Sequence, residues 1–389
     1  AQILDNTISE SNLSELYIGT LSLTDEVIIA EGAEVIAPYV QLSADNGIRL
    51  EKNSQLMGNG AEGEAIFNTP GGQFEMVPDS SVSGFGKVEI IASSALFNGQ
   101  MTSNEGKLAI TTNNMEVAPE DYQGGAPDRL YLLTGNLANF SGFDNLEMNA
   151  DTSLKLAGGT IFDVTGTLTM NSPAILYQEA NGLSDVGISA REIYLVNTTG
   201  ADGALSHTEN KGRLALNAKE TIGIGYGDIY LGGFNTIDME SKDEEVFGDI
   251  LLRGKGSFVT DGDLTFTAAR VISSFYENVD TERDQASFES TRFWVQAGNS
   301  QAGYKTISII GNGSPDPAGR SFGGTLDFVG KSIHLSGGGI LASGGWVTLT
   351  AHDDAAGGQG ITLSDSAFID VSGNEYAPGG RVTLSSDAG

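Results

Sequence analysis

Gly323-Gly324-Thr325-Leu326-Asp327-Phe328, Gly344-Gly345-Trp346-Val347-Thr348-Leu349 and Gly379-Gly380-Arg381-Val382-Thr383-Leu384 repeat one phrase: a glycine pair, then an alternating strand. Each phrase opens a similar unit. Ile333-His334-Leu335 and Ile340-Leu341-Ala342 follow the first, and Ile361-Thr362-Leu363 and Phe368-Ile369-Asp370-Val371 follow the second. The order strand, strand, strand, glycine pair therefore recurs. Leu326 to Val347 spans 21 residues and Val347 to Val382 spans 35, the excess being absorbed by polar insertions at 352–360 and 373–380. Three short strands with elastic turns are the signature of a parallel β-solenoid, in which each unit buries its inward side chains only by stacking on the next.

The same spacing stands near the other end. Asp25-Glu26-Val27-Ile28-Ile29 aligns with Asn46-Gly47-Ile48-Arg49-Leu50 at an offset of 21, and Ala33-Glu34-Val35-Ile36 aligns with Ser54-Gln55-Leu56-Met57 at the same offset. Between the ends, runs of four or five residues rich in Val, Ile, Leu, Thr and aromatics are bounded by Gly, Asn, Asp or Ser, as at 87–91, 130–133, 213–216 and 263–266. This predicts an all-β fold, one continuous β-helix rod over 1–389. It should be right-handed, because parallel strands joined by crossovers coil that way. At a strand spacing of about 4.8 Å, roughly 14 to 19 coils would make a rod some 70 to 90 Å long. Polar loop insertions are expected near 118–128, 240–247, 276–290 and 352–360, the third at most a short surface helix. Insertions in solenoids gather on one face, which is often the binding face. The sequence stops within a repeat and so reads as a fragment of a longer protein.

Composition narrows the function. There are 53 glycines, nine prolines and no cysteine, which suits a chain that turns sharply yet keeps its backbone N–H groups for ladders. The glycines lack the three-residue period of collagen. Without cysteine there is no disulfide or thiolate metal site, a composition common among exported bacterial chains. No apolar run approaches the roughly 18 residues of a membrane span, and no export signal stands at the N-terminus. Twenty basic against 51 acidic residues leave a net charge of −31. That charge repels nucleic acid, anionic lipid and acidic polysaccharide over most of the surface, and keeps a β protein soluble.

Catalytic words are few. Gly319-Arg320-Ser321-Phe322-Gly323 fits a nucleophile elbow, but that motif needs a strand before it and a helix after it. Pro315 and Pro317 precede it and a strand follows, so Ser321 reads as a turn residue contributing at most a local hydrogen bond. The stretch 324–332, ending in Gly330-Lys331-Ser332, misses the phosphate-loop spacing by one residue. Gly223-Ile224-Gly225-Tyr226-Gly227 misplaces the third glycine of a dinucleotide fingerprint. His207, His334 and His352 share no metal-ligand spacing. His334 is expected to face water from mid-strand, and His352 to lead a solvated turn with Asp353 and Asp354.

A β-helical carbohydrate-active enzyme, a polysaccharide lyase or glycoside hydrolase, is the rival class. It would need carboxylates converging on one groove, with Asp243, Glu244, Glu245, Asp261, Asp263 and Asp370 as candidates. The run 243–245 reads as a solvated loop, Asp261 and Asp263 as turn residues, and Asp370 as an outward strand residue. No catalytic or cofactor-binding residue is assigned. Metal ligands are left open, since loop carboxylates could hold calcium without a linear motif. Tyr122, Tyr226, Tyr230, Phe275, Tyr276, Trp294, Tyr304 and Tyr376 include rings in or beside loops that could stack on sugars. Trp294 and Trp346, lying in strands, are expected to serve core or turn packing.

The stretch 211–389 resembles the filamentous haemagglutinin family of large bacterial exoproteins. The matching phrases are Ser332-Ile333-His334-Leu335-Ser336-Gly337-Gly338, Val347-Thr348-Leu349-Thr350-Ala351, Phe368-Ile369-Asp370-Val371-Ser372-Gly373 and Tyr376-Ala377-Pro378-Gly379-Gly380-Arg381-Val382-Thr383-Leu384. The resemblance implies a right-handed parallel β-helix that is secreted or held at the bacterial cell surface. It would be exported through a partner outer-membrane pore and used in adhesion or as an extracellular filament. Cell-surface proteins or glycans would be its ligands, and end-to-end self-association would follow from open strand edges. The family's secretion domain, with its Asn-Pro-Asn-Gly phrase, is not found in these residues.

Overall fold

The computed structural model describes residues 16–19, 26–122, 129–203, 211–244, 246–274, 276–280, 285–289, 291–312, 321, 323–352, 360–373 and 378–387. It is a parallel β-helix: short strands follow one another around the coil, and each pairs in parallel with its equivalent in the next coil. The chain divides into two compact units, Ala1–Asn171 and Ser172–Gly389.

In the first unit one sheet carries the register Leu42↔Phe67↔Ile90↔Ile110↔Met148↔Met170. All six side chains are fully buried. A second sheet pairs Glu26–Ile29 with Gly47–Leu50, and a third pairs Glu34–Ile36 with Gln55–Met57, both at the offset of 21 read from the sequence. Corners are tight enough for strands to run through them, as in Gln55–Met76. Glycine permits this at Gly72 and Gly86, where a Cβ would overlap the backbone of Asn46 and Ala61 in the neighbouring coil.

The second unit has three stacks. One runs Glu192–Leu195, Thr221–Ile224, Asp249–Arg253, Arg270–Ser274, Gly339–Leu341 and Phe368–Asp370. Another runs Asp185–Ala190, Arg213–Ala218, Thr236–Glu240, Asp263–Thr267, Ile307–Ile310, Ile333–Ser336 and Ile361–Ser364. The third runs Ile229–Gly232, Lys255–Thr260, Arg292–Ala297, Thr325–Gly330, Trp346–Ala351 and Arg381–Ser386. In the first stack Arg270–Ser274 pairs directly with Gly339–Leu341, so the coil between them skips that sheet. Its coils are also tied by Arg270, whose guanidinium donates twice to Asp249, at 2.9 and 2.8 Å, from a nearly buried position. Such a planar fork matches a carboxylate well.

Two insertions depart from the expected loops. Around 240–247 the strand Phe234–Asp243 folds back on Val246–Phe247 as an antiparallel hairpin. Tyr276–Asp280 and Gln285–Glu289 form another, in place of a loop or helix. Tyr276, Val279 and Phe288 are strand formers, and a hairpin satisfies the backbone of an insertion without help from the stack. Of the expected loop at 118–128, residues 123–128 lie outside the described residues; beyond it Leu130–Leu133 pairs in parallel with Met115–Ala118, on the edge opposite Ser153–Leu156. A one-turn helix, Thr134–Ala138, follows, capped by Asn136 accepting from the Leu133 amide at 3.0 Å. Of the expected loop at 352–360, residues 353–359 lie outside the described residues.

Candidate binding face

The chemistry-bearing side chains named from the sequence are held apart, and most that are described bind a neighbouring coil. Ser321 is buried. Its hydroxyl donates to the Leu341 carbonyl at 3.3 Å and accepts from the Ser343 amide at 3.0 Å. This corrects the expectation of a merely local bond, because Ser321 sits beside the skipped sheet and clamps the turn of the next coil. Ser321→Ala is expected to cost about 1 to 3 kcal/mol, since it leaves a backbone amide without its acceptor. Thermal melting checks this, and a melting temperature equal to the parent's would remove the clamp. Fluorophosphonate is expected to leave Ser321 unlabelled.

Gly330-Lys331-Ser332 lies between Thr325–Gly330 and Ile333–Ser336, with the Ser332 hydroxyl 3.3 Å from that of Thr306. A strand, not a helix, follows, so no phosphate cradle forms. Gly223 lies within the strand Gly212–Ile224, where a Cβ would overlap the Tyr194 ring, and Gly225 and Gly227 turn the corner at positive φ. His334 is half-buried with Nδ1 2.6 Å from Thr362 Oγ1 in the next coil. His352 stacks on Tyr304 at 4.3 Å and contacts Asp387 at 2.6 Å. Asp263 accepts from the Thr306 amide and Asp370 from the Ser372 amide, both at 2.8 Å. Asp243 and Glu244 are exposed on the hairpin. His207, Glu245, Asp353 and Asp354 lie outside the described residues. Among the described residues no three His, Asp or Glu side chains cluster as metal ligands.

Tyr230 overturns its reading as a sugar-stacking ring, and Asp261 lies in the expected turn between Lys255–Thr260 and Asp263–Thr267 but is buried there. Tyr230 is 3% exposed and donates to Asp261 at 2.7 Å; the buried carboxylate also accepts from the Gly233 amide at 3.1 Å. Burial raises the phenol's pKa, and the bond to Asp261 raises it further. The folded state therefore holds Tyr230 neutral where the unfolded chain ionises it. The stability this gives is complete below the ordinary value of about 10 and is lost as pH rises past it. Tyr230→Phe is expected to flatten the decline of melting temperature above that pH. An unchanged alkaline slope would place the ionisation elsewhere.

A second buried carboxylate was not read from the sequence. Glu116 meets Arg129 at 3.5 Å, and the Tyr122 phenol is raised by burial first and then by its hydrogen bond to Glu116. Tyr122 is thus held against Glu116 and, at 6.4 Å between rings, against Tyr131. The inserted strand Leu130–Leu133 creates this cluster by setting Tyr131 beside Glu116. A cavity of about 230 Å³ lies by the short helix, lined by Leu137, Phe140, Phe143, Val164 and Asp163.

The tryptophans are the larger correction. Trp294 is 46% exposed and Trp346 is 59% exposed. Their neighbours Phe293, Val295, Val347 and Leu349 occupy the core, and strand alternation then turns both indoles to solvent. Both stand on the outer face of the third stack, with the register Arg292↔Thr325↔Trp346↔Arg381 beside Trp294↔Asp327↔Thr348↔Thr383. Tyr226 is also exposed. The side chains of Phe275, Tyr276 and Tyr376 lie outside the described residues.

Compared with known families, curated proteins and solved structures, the chain gives no match. Among the described residues no helix is long and apolar enough to cross a membrane.

Proposed function

We propose that the chain is an adhesive, load-carrying shaft of a large bacterial exoprotein, secreted or displayed at the cell surface. The observation that carries this reading is the occupation of the candidate catalytic groups. Ser321, Asp261, Asp263 and His334 are bonded between coils, while the outer face of the third stack presents tryptophan to solvent. Polar groups bonded across coils fix register, and exposed aromatics on a regular sheet suit contact with another surface. The phrases shared with filamentous haemagglutinins support the same reading, with an outer-membrane pore as export partner, cell-surface proteins or glycans as ligands, and end-to-end association as a route to filaments.

Beads coated with the protein are expected to attach to cell surfaces, and incubation with a panel of polysaccharides is expected to release neither reducing ends nor unsaturated sugars. Depolymerisation of any of them would replace the shaft with a β-helical carbohydrate-active enzyme. Failure of the beads to attach would remove the adhesive role.

A further inference from the structure

We propose that the outer face of the third stack is a binding site for an anionic polysaccharide, with sugar rings on Trp294 and Trp346 and acid groups on Arg292 and Arg381. The inference deepens the adhesive reading by naming a ligand class.

Charge sets this face apart. The chain carries 20 basic and 51 acidic residues, so a basic column is unexpected on it. Yet Lys255, Arg292 and Arg381 occupy one outward register on the same face, together with Thr325 and Trp346. All three basic residues are exposed. The adjoining column holds Ser257, Trp294, Asp327, Thr348 and Thr383, with Asp327 as its acidic member. The surrounding negative field would repel a polyanion elsewhere, which confines it to this strip.

Geometry adds the second half. The indoles lie two coils and two strand residues apart, a diagonal of about 12 Å at ordinary sheet spacings. That separation suits successive units of an extended sugar chain crossing the strands obliquely. Indole faces offer large apolar area at little entropic cost. Guanidinium forks match carboxylate or sulfate oxygens in pairs. Trp and Arg are also the residues that dominate binding energy at interfaces. Because the support is a stacked sheet, the array is already ordered before the ligand arrives.

The protein contains two tryptophans, both on this face, so its intrinsic fluorescence reports the site directly. Polygalacturonate or dextran sulfate is expected to shield the emission from acrylamide quenching, and added salt is expected to reverse the effect. Neutral dextran is expected to leave quenching unchanged. The two charged polymers separate carboxylate from sulfate recognition. In affinity electrophoresis Trp346→Ala should weaken retardation about tenfold or more. The double variant Arg292→Gln with Arg381→Gln should do the same and reduce the salt dependence. No shielding by either charged polymer, equal shielding by dextran, or parental retardation of Trp346→Ala would overturn the inference. Attachment of beads carrying Trp294→Ala with Trp346→Ala would leave the adhesive reading standing and remove this face from it.

Discussion

Val347→Asp is expected to be among the most damaging single substitutions, costing about 4 kcal/mol or more. Val347 is fully buried and lies in register between Leu326 and Val382. A carboxylate there has no partner and no water, so it would take up a proton and persist as a neutral acid. The loss should therefore shrink below the ordinary carboxylate range and be largest at neutral pH. Thr348→Asp, one residue on, faces outward beside Asp327 and should cost only the few tenths of a kcal/mol of a like-charge neighbour. Val382→Asp should fall between them, because Val382 is 39% exposed. Thermal or urea melts of the three variants test the order. Equal losses at 347 and 348 would overturn the inward and outward assignment of this strand, and a reversed order would mean that the register is wrong by one residue.

That register was legible because a solenoid turns tertiary contacts into spacing. Leu326, Val347 and Val382 are partners in adjacent coils, and so are Ile333 with Ile361 and Ile340 with Ile369, as the recurring phrases require. What escaped was formed inside the insertions or across several coils. The hairpin Tyr276–Asp280 with Gln285–Glu289 has too few apolar residues to announce itself by period. The strand Leu130–Leu133 was visible as a strand, but no local pattern shows on which edge of Met115–Ala118 it docks. Glu116 and Tyr122 acquire their environment from that docking, so the cluster could not be assembled from spacing alone.

The tryptophans are a different case, because the signal was present. The alternation that places Val347 inward also places Trp346 outward, and that which buries Phe293 and Val295 exposes Trp294. Hydrophobicity argued for the core while parity argued for solvent. Parity governs here, since reversing it would expose every apolar partner in the same strand. Asp261 shows the opposite conflict. Its type and its turn suggested solvent, yet Tyr230 and the Gly233 amide reach it from inside the stack.

The glycine pairs are held by the neighbouring coil, and Gly345→Ala is expected to cost about 2 to 4 kcal/mol. Gly324, Gly345 and Gly380 immediately precede successive strands of the third stack. A Cβ on Gly345 would overlap the Gly324 carbonyl oxygen, and one on Gly380 would overlap that of Gly345. Gly324 adds a positive φ of 103°, which only glycine adopts cheaply. The obstructing atoms are backbone, so no side chain can swing aside. The Gly324 carbonyl also accepts from the Trp346 amide at 2.7 Å, so displacing it disturbs the rung that seats the exposed indole. Gly379 is the matched control, since among the described residues a Cβ there comes no closer than 3.8 Å to its nearest neighbour, the Gly373 amide. Gly379→Ala should be neutral to within about 1 kcal/mol, or slightly stabilising through the unfolded chain. Melting temperatures separate the two variants, and tryptophan emission should shift in Gly345→Ala alone. Equal stability of both would mean that the second glycine of each pair is not held by the coil beneath it.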